Sequence, residues 1–187
     1  MKKVFLFFAL MLASLTAGAQ DIALNEDGEY EVKEVVTVDS VSAAVLYDRA
    51  MLALTEWTGP DGKATAGIDY QNQETHTVVY KGRFYAGNRK WMTTTIDRYA
   101  NFMVKVRCKD GRAQVTVNVP TLTATVASLG RSQTWNLGEA IAEMEKTSGK
   151  RRERGEEAVA YINGTADNIV SAMKAALTGS GDSDDDF

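Results

Sequence analysis

The chain has 187 residues, a formal net charge of −4 at neutral pH and a single cysteine. This length is typical of one domain with its own core. One cysteine excludes an intramolecular disulfide and a cysteine-rich metal site, and the acidic balance argues against a general nucleic-acid binder, whose affinity depends on clustered Lys and Arg.

The first twenty residues have the pattern of a secretory signal peptide. Lys2 and Lys3 precede an apolar run from Val4 to Leu15, and an Ala-Gly-Ala exit ends at Ala19. The run is shorter than the roughly 20 apolar residues of a spanning helix, and no later segment approaches that length. We therefore expect cleavage near Ala19, no transmembrane segment in the mature chain, and a periplasmic or secreted protein. Gln20 follows the cleavage point, where a bacterial lipoprotein would need cysteine.

A strand and an amphipathic helix are predicted next. The valine-rich segment Tyr30 to Val38 indicates the strand. The helix is expected to begin at Ser40 as its N-cap and to end before Gly59-Pro60. Its apolar face is formed by Leu46, Tyr47, Ala50, Ala53, Leu54 and Trp57.

The middle of the chain predicts further strands. A short strand over Gly67 to Gln71 and a longer one over Thr77 to Tyr85 precede a loop at Gly87-Asn88. The segment Trp91 to Ile96 is expected to continue into a long strand through a bend near Arg98 to Asn101.

The clearest signal is a hairpin between Phe102 and Val119. Two alternating runs meet at Asp110-Gly111, a dipeptide that favours a two-residue turn. The turn predicts that Lys109 faces Arg112 and that apolar residues face one another in the pairs Cys108–Ala113, Val106–Val115, Val104–Val117 and Phe102–Val119.

Two more helices are predicted towards the C-terminus. Asn136 and Glu139 form a capping-box-like pair. The charged stretch Thr147 to Glu157 is either a helical extension or a hinge. The last helix runs from Ala158 to a stop at Gly179, with an apolar stripe of Ile162, Ala166, Ile169, Val170, Met173, Ala176 and Leu177. After it, residues 180–187 have the composition of a disordered acidic tail.

The order strand, helix, four antiparallel strands and terminal helix resembles the TATA-binding-protein-like fold. Within that order, Tyr30 to Val38, the Leu46-Tyr47-Asp48-Arg49-Ala50 run with Trp57, and the Lys109 to Arg112 turn are similar to a family of secreted bacterial proteins, a domain of unknown function with this fold. The likeness covers Glu29 to Val119 and the last helix and departs at an insert, Thr121 to Arg154. It implies no catalytic residues.

Together these observations predict a signal peptide over residues 1–19 and a single α+β domain over residues 20–179. The domain is expected to have an antiparallel sheet of about five strands with helices on one face.

The sequence contains no recognisable catalytic, metal or cofactor site. His76 is the only histidine, and we interpret it as an exposed strand-end residue, because a Ser-His-Asp device or a zinc site needs further partners. Cys108 is interpreted as a buried hydrophobe. The tail acids Asp182, Asp184, Asp185 and Asp186 lack the spacing of a calcium loop.

Scattered carboxylates leave one enzymatic alternative open. Glycosidases use a pair of acids, and candidates for such a pair are Glu56, Asp69, Glu74 and Asp97.

A group of cations is expected on the polar side of the sheet. If the strands are neighbours, one face carries Lys81, Arg83, Lys105, Arg107, Lys109 and Arg112. Such a face is either simply solvated, as in an open antiparallel sheet, or a surface for an anionic ligand, driven by the local field. Envelope polysaccharide, lipid headgroups and an acidic segment of a partner would all fit it.

We therefore expect an exported, non-catalytic binding or interaction module of the bacterial cell envelope, without a cofactor. Its partner is expected to be an envelope component or a protein, not a nucleic acid. The alternative is an envelope hydrolase that uses a carboxylate pair. The oligomeric state is open between a monomer and a homodimer paired through a free sheet edge.

Overall fold

A computed structural model describes residues 24–57, 65–91 and 93–179. Three expectations fall outside these residues: the signal peptide over residues 1–19 with Gln20 after it, the Gly59-Pro60 end of the first helix, and the acidic tail over residues 180–187. The statements below concern the described residues.

The described chain contains six strands and three helices. The strands are β1 (Tyr30–Thr37), β2 (Thr65–Asn72), β3 (Thr77–Trp91), β4 (Thr94–Lys109), β5 (Arg112–Val126) and β6 (Arg131–Asn136). The helices are α1 (Ala43–Glu56), α2 (Leu137–Glu145) and α3 (Lys150–Thr178). The predicted α+β class is confirmed, with six strands where about five were expected.

All the strands form one antiparallel sheet in the order β1-β5-β4-β3-β2, and β6 also pairs with β5. Strand β5 is long enough to hold two partners end to end. Its first half, Arg112 to Val119, pairs with β1, and its second half, Thr121 to Val126, pairs with β6. The sixth strand therefore comes from the segment that was expected to be an insert.

The predicted hairpin forms around Asp110-Gly111 in the expected register. Lys109 lies opposite Arg112, and the apolar pairs from Cys108–Ala113 to Val104–Val117 are confirmed. The last predicted pair is wrong, because Val119 and Pro120 together lie opposite Phe102. Proline cannot donate a backbone hydrogen bond to the ladder and is tolerated at such a bulge.

Two irregularities predicted for the middle strands differ in the structure. Gly87-Asn88 is not a loop but part of β3, where the pairing with β4 shifts between Tyr85 and Asn88. Gly87 has φ of 95° there, a conformation that glycine adopts without strain. The expected bend near Arg98 to Asn101 does not interrupt β4: Arg98 lies opposite the shift in β3, and the residues from Tyr99 to Asn101 pair regularly with β3.

Helix α1 begins two residues later than predicted. Ser42 is its N-cap, and Ser40 lies in the preceding turn with φ of 65°. The reason is a tertiary contact: the Asp110 carboxylate accepts a hydrogen bond from the Ala43 amide at 2.8 Å. The Gly111 amide donates in turn to the Val41 carbonyl at 2.9 Å. The hairpin turn thus fixes the start of a helix far away in the sequence.

The core lies between one face of the sheet and the helices. Alternate strand residues such as Val104, Val106 and Val115 are buried beneath α1 and α3. The predicted helical faces are confirmed, since Leu46 and Ile162 are both buried. Among the described helices, none combines the length and apolar character needed to cross a membrane.

The charged stretch before the last helix is the helical extension, not the hinge. Helix α3 begins at Lys150, and Gly155 lies so close to α2 that a Cβ there would overlap the Met144 side chain. At the other end, Gly179 stops the helix with φ of 72°. The Arg49 guanidinium of α1 donates to the Leu177 carbonyl at 2.8 Å, and a cation at a helix C-terminus is favourable.

Candidate basic face of the sheet

The sheet face opposite the helices is not covered by any element of the described chain. We call it the uncovered face. Odd-numbered residues of β4 and even-numbered residues in the first half of β5 lie on it, because successive side chains of a strand point to opposite sides. After the bulge at Pro120, the odd-numbered residues of β5 lie on this face instead of the even-numbered ones: Thr121, Thr123 and Thr125.

All six predicted cations lie on the uncovered face, but they do not form one set. The Lys81 ammonium forms an ion pair of 3.0 Å with Asp69. The Arg83 guanidinium lies over the Tyr99 ring, 5.0 Å from its centroid, a favourable cation–π geometry. Both cations are therefore already engaged by groups of the protein.

The other four cations lie together at the hairpin end of the face. Lys109 lies directly opposite Arg112, and Arg107 lies opposite Gln114. Lys105 lies two residues before Arg107 in β4, on the same face. Within the described residues none of these four forms an ion pair with a carboxylate. This end of the sheet therefore carries uncompensated positive charge. Like charges placed opposite each other across two strands are also destabilising. We call these four residues the basic cluster.

A shallow depression of about 240 Å³ lies within this end of the face, lined by Val35, Arg107, Lys109, Arg112 and Gln114. Sequence reasoning missed Val35 and Gln114 as lining residues. Val35 is 55% exposed, although a valine next to Val36 in a valine-rich strand suggests a core position. Its exposure follows from the alternation of side chains along β1. The even-numbered Tyr30 and Val36 are buried, so the odd-numbered Val35 lies on the opposite side of the strand.

The opposite end of the uncovered face is rich in hydroxyl groups. The Asn101 amide donates to the hydroxyls of Thr121 and Thr123 at 2.8 Å and 3.0 Å, and Thr123 also bonds Thr134 at 2.9 Å. The face thus changes along its strands, from cationic at the hairpin to rich in hydroxyl groups near β6.

The described part of the chain contains no group of three or more potential metal ligands. The four candidate carboxylates lie on different segments: the end of α1, β2, the β2–β3 turn and β4. They line neither the basic depression nor a small apolar cavity of about 20 Å³ beside Trp57 and Met173.

His76 and Cys108 take structural positions. His76 is half-buried in the β2–β3 turn with φ of 47°, so the expectation of an exposed residue is corrected. Its ring meets the Tyr47 ring edge-on at 6.1 Å. Cys108 is buried as predicted, and burial raises the pKa of its thiol to about 11. A thiol held in its neutral form is a poor nucleophile.

The sequence and the fold have recognisable relatives. Residues 33–122 match the family described as a domain of unknown function, DUF4468, with TBP-like fold. A DUF4468 family protein from Bacteroides ovatus has 16% sequence identity over 86% of this chain and 91% of its own, with a TM-score of 0.57. A TBP-like protein from Parabacteroides distasonis has 13% identity over 83% of this chain and 96% of its own, with a TM-score of 0.54.

At these identities the two crystal structures are informative about the fold alone. No curated protein matches the chain. The family match ends at residue 122, so β6, α2 and α3 lie outside it. Residues 33–122 are therefore similar to the DUF4468 family, and the chain has a TATA-binding-protein-like fold.

Proposed function

We propose that this protein is an exported, non-catalytic binding module of the cell envelope, and that the uncovered face binds an anionic partner. The observation that supports binding is the basic cluster, four cations without a carboxylate partner in the described residues. Because the chain as a whole is acidic, attraction to an anion depends on this local field and not on net charge.

The test uses three defined polyanions: polyglutamate, dextran sulfate and vesicles containing phosphatidylglycerol. We expect binding of at least one of them that weakens as salt rises, because exposed charges are screened within about 10 Å at 0.1 M salt. The combined substitution Lys105→Glu and Arg107→Glu should abolish it. Lys81→Glu is the matched control, since Lys81 is already paired with Asp69.

Two results would refute binding by this face. One is that none of the three polyanions binds. The other is that the double charge reversal and the Lys81→Glu control weaken binding equally.

Export is supported by the pattern of residues 1–19. Expression of the full chain in a bacterium should give a periplasmic product whose N-terminal sequence starts at Gln20. A product that keeps Met1 and stays in the cytoplasm would contradict export.

The hydrolase alternative has less support, because the candidate carboxylates lie on separate segments and line neither cavity.

A monomer is favoured over an edge-paired dimer. In the described chain β2 pairs only with β3, and its register is interrupted between Ile68 and Tyr70, an irregularity that discourages pairing through an edge. Light scattering should give the mass of one chain.

A further inference from the structure

The hairpin end of the uncovered face gathers its charge around one depression. Arg107, Lys109 and Arg112 line it together with the Gln114 side chain. Asp110 is the acid nearest to them in the sequence, but its carboxylate is hydrogen-bonded to the Ala43 amide. Three charged donors and one neutral amide therefore border the same space.

The number and type of these donors favour one class of anion. A carboxylate would neutralise only one of the three charges. A phosphate monoester carries a charge of about −1.5 to −2 at pH 7 and has three strong acceptor oxygens. Guanidinium groups bind such oxygens in bidentate geometry, and two of the three cations are arginines.

We propose that this depression binds the phosphate group of a ligand through Arg107, Lys109 and Arg112. The proposal rests on the proposed function, since it names the anionic group that the basic cluster recognises. Such a group can belong to a lipid headgroup that ends in a phosphate monoester, as in phosphatidic acid, or to a free phosphate, and the binding chemistry is the same for both.

The first experiment titrates isotope-labelled protein with inorganic phosphate at constant ionic strength. Nuclear magnetic resonance follows the backbone amides of Val35 and Gln114. We expect saturable shifts with a dissociation constant on the order of 1 mM. Arg112→Gln should weaken phosphate binding about tenfold through the loss of a charge-assisted hydrogen bond. Lys81→Gln on the same face should leave it unchanged.

Two outcomes of this titration would overturn the site. One is a set of shifts that grows linearly with concentration, without saturation. The other is an affinity that Arg112→Gln and Lys81→Gln change to the same extent.

The second experiment uses the protonation of the ligand. A phosphate monoester loses its second proton near pH 6, so the ligand is glycerol phosphate, and its affinity should rise several-fold from pH 5.5 to 7.5. Sulfate keeps its double charge over this range and should bind equally at both pH values. A protein group that changes its charge over this range would change sulfate binding as well. An equal response of the two anions would contradict recognition of the phosphate dianion.

A vesicle arm identifies the source of the phosphate. If phosphatidic acid vesicles bind and millimolar phosphate displaces the protein from them, the group belongs to a lipid headgroup. If phosphate saturates without vesicle binding, the ligand is free in solution. If polyanion binding depends on Lys105 and Arg107 but phosphate does not saturate, the phosphate site is wrong and the proposed function stands.

Discussion

Replacement of Asp110 by alanine should lower the free energy of unfolding by about 2 kcal/mol. The carboxylate accepts the hydrogen bond from Ala43, the first residue of α1, at 2.8 Å. Asp110 is exposed, but the amide belongs to the buried Ala43, so water replaces the lost acceptor poorly. Loss of an acceptor from a partly buried N–H costs about 1.5 kcal/mol, and loss of a negative charge beside a helix N-terminus costs roughly 0.5 kcal/mol more.

The variant Asp110→Asn separates these two contributions. Asparagine keeps a side-chain oxygen that can accept from Ala43, and Asn-Gly suits the same hairpin turn as Asp-Gly. Only the charge is lost, so the free energy of unfolding should fall by about 0.5 kcal/mol. Asp48→Ala removes an exposed carboxylate of α1 and should change the free energy by no more than about 0.5 kcal/mol.

Urea unfolding followed by circular dichroism measures all three variants. With a slope of about 2 kcal/mol per molar urea, the midpoint of Asp110→Ala should fall by about 1 M. The slope itself should stay unchanged, because the extent of the folded structure is the same. The reasoning is refuted if Asp110→Ala unfolds within 0.2 M of the wild type, or if Asp110→Asn is as unstable as Asp110→Ala.

Three further predictions concern helix contacts and the buried thiol. In α3, Gly164→Ala should raise the free energy of unfolding by up to about 1 kcal/mol, because nothing lies within 4 Å of the new Cβ. Gly155→Ala in the same helix should be neutral or destabilising by about 1 kcal/mol, since the Cβ meets the methionine of α2; equal gains would contradict that close approach. Arg49→Leu should lower the melting temperature through the lost bond to the Leu177 carbonyl, and an unchanged value in calorimetry would show that this bond adds nothing. Burial raises the pKa of the Cys108 thiol to about 11 in the folded protein, against 9.0 for an ordinary thiol. The neutral thiol therefore contributes fully to the free energy of unfolding below pH 9, and this contribution is lost as the pH rises through 11. Its contribution of about 2–3 kcal/mol should be missing from the alkaline unfolding profile of Cys108→Ala, and superimposable profiles would rule out a raised pKa.

Local patterns predicted the parts of the fold that local interactions decide. The Asp110-Gly111 turn and the alternating runs beside it were enough to fix the register from Lys109–Arg112 to Val104–Val117. The register fails only where Pro120 introduces a bulge, which depends on how β5 divides its length between β1 and β6. The start of α1 was misplaced by two residues because a distant carboxylate caps it.

The candidate site shows the same division. Alternation along β3 and β4 predicted that Lys81, Arg83 and the basic cluster share one face. It could not predict that Asp69 pairs with Lys81 or that Tyr99 supports Arg83, because both contacts depend on the pairing between strands. The role of Val35 also depends on the parity of β1, which is visible only once Tyr30 and Val36 are known to be buried.

Strand β5 also imposes an order on folding. Strand β1 is made early, but its hydrogen-bond partner is the first half of β5, far downstream, and such non-local pairing slows folding. The helix that covers both strands, α3, comes last of all. A chain that emerges with its N-terminus first therefore cannot close its sheet or cover its core until most of it has emerged.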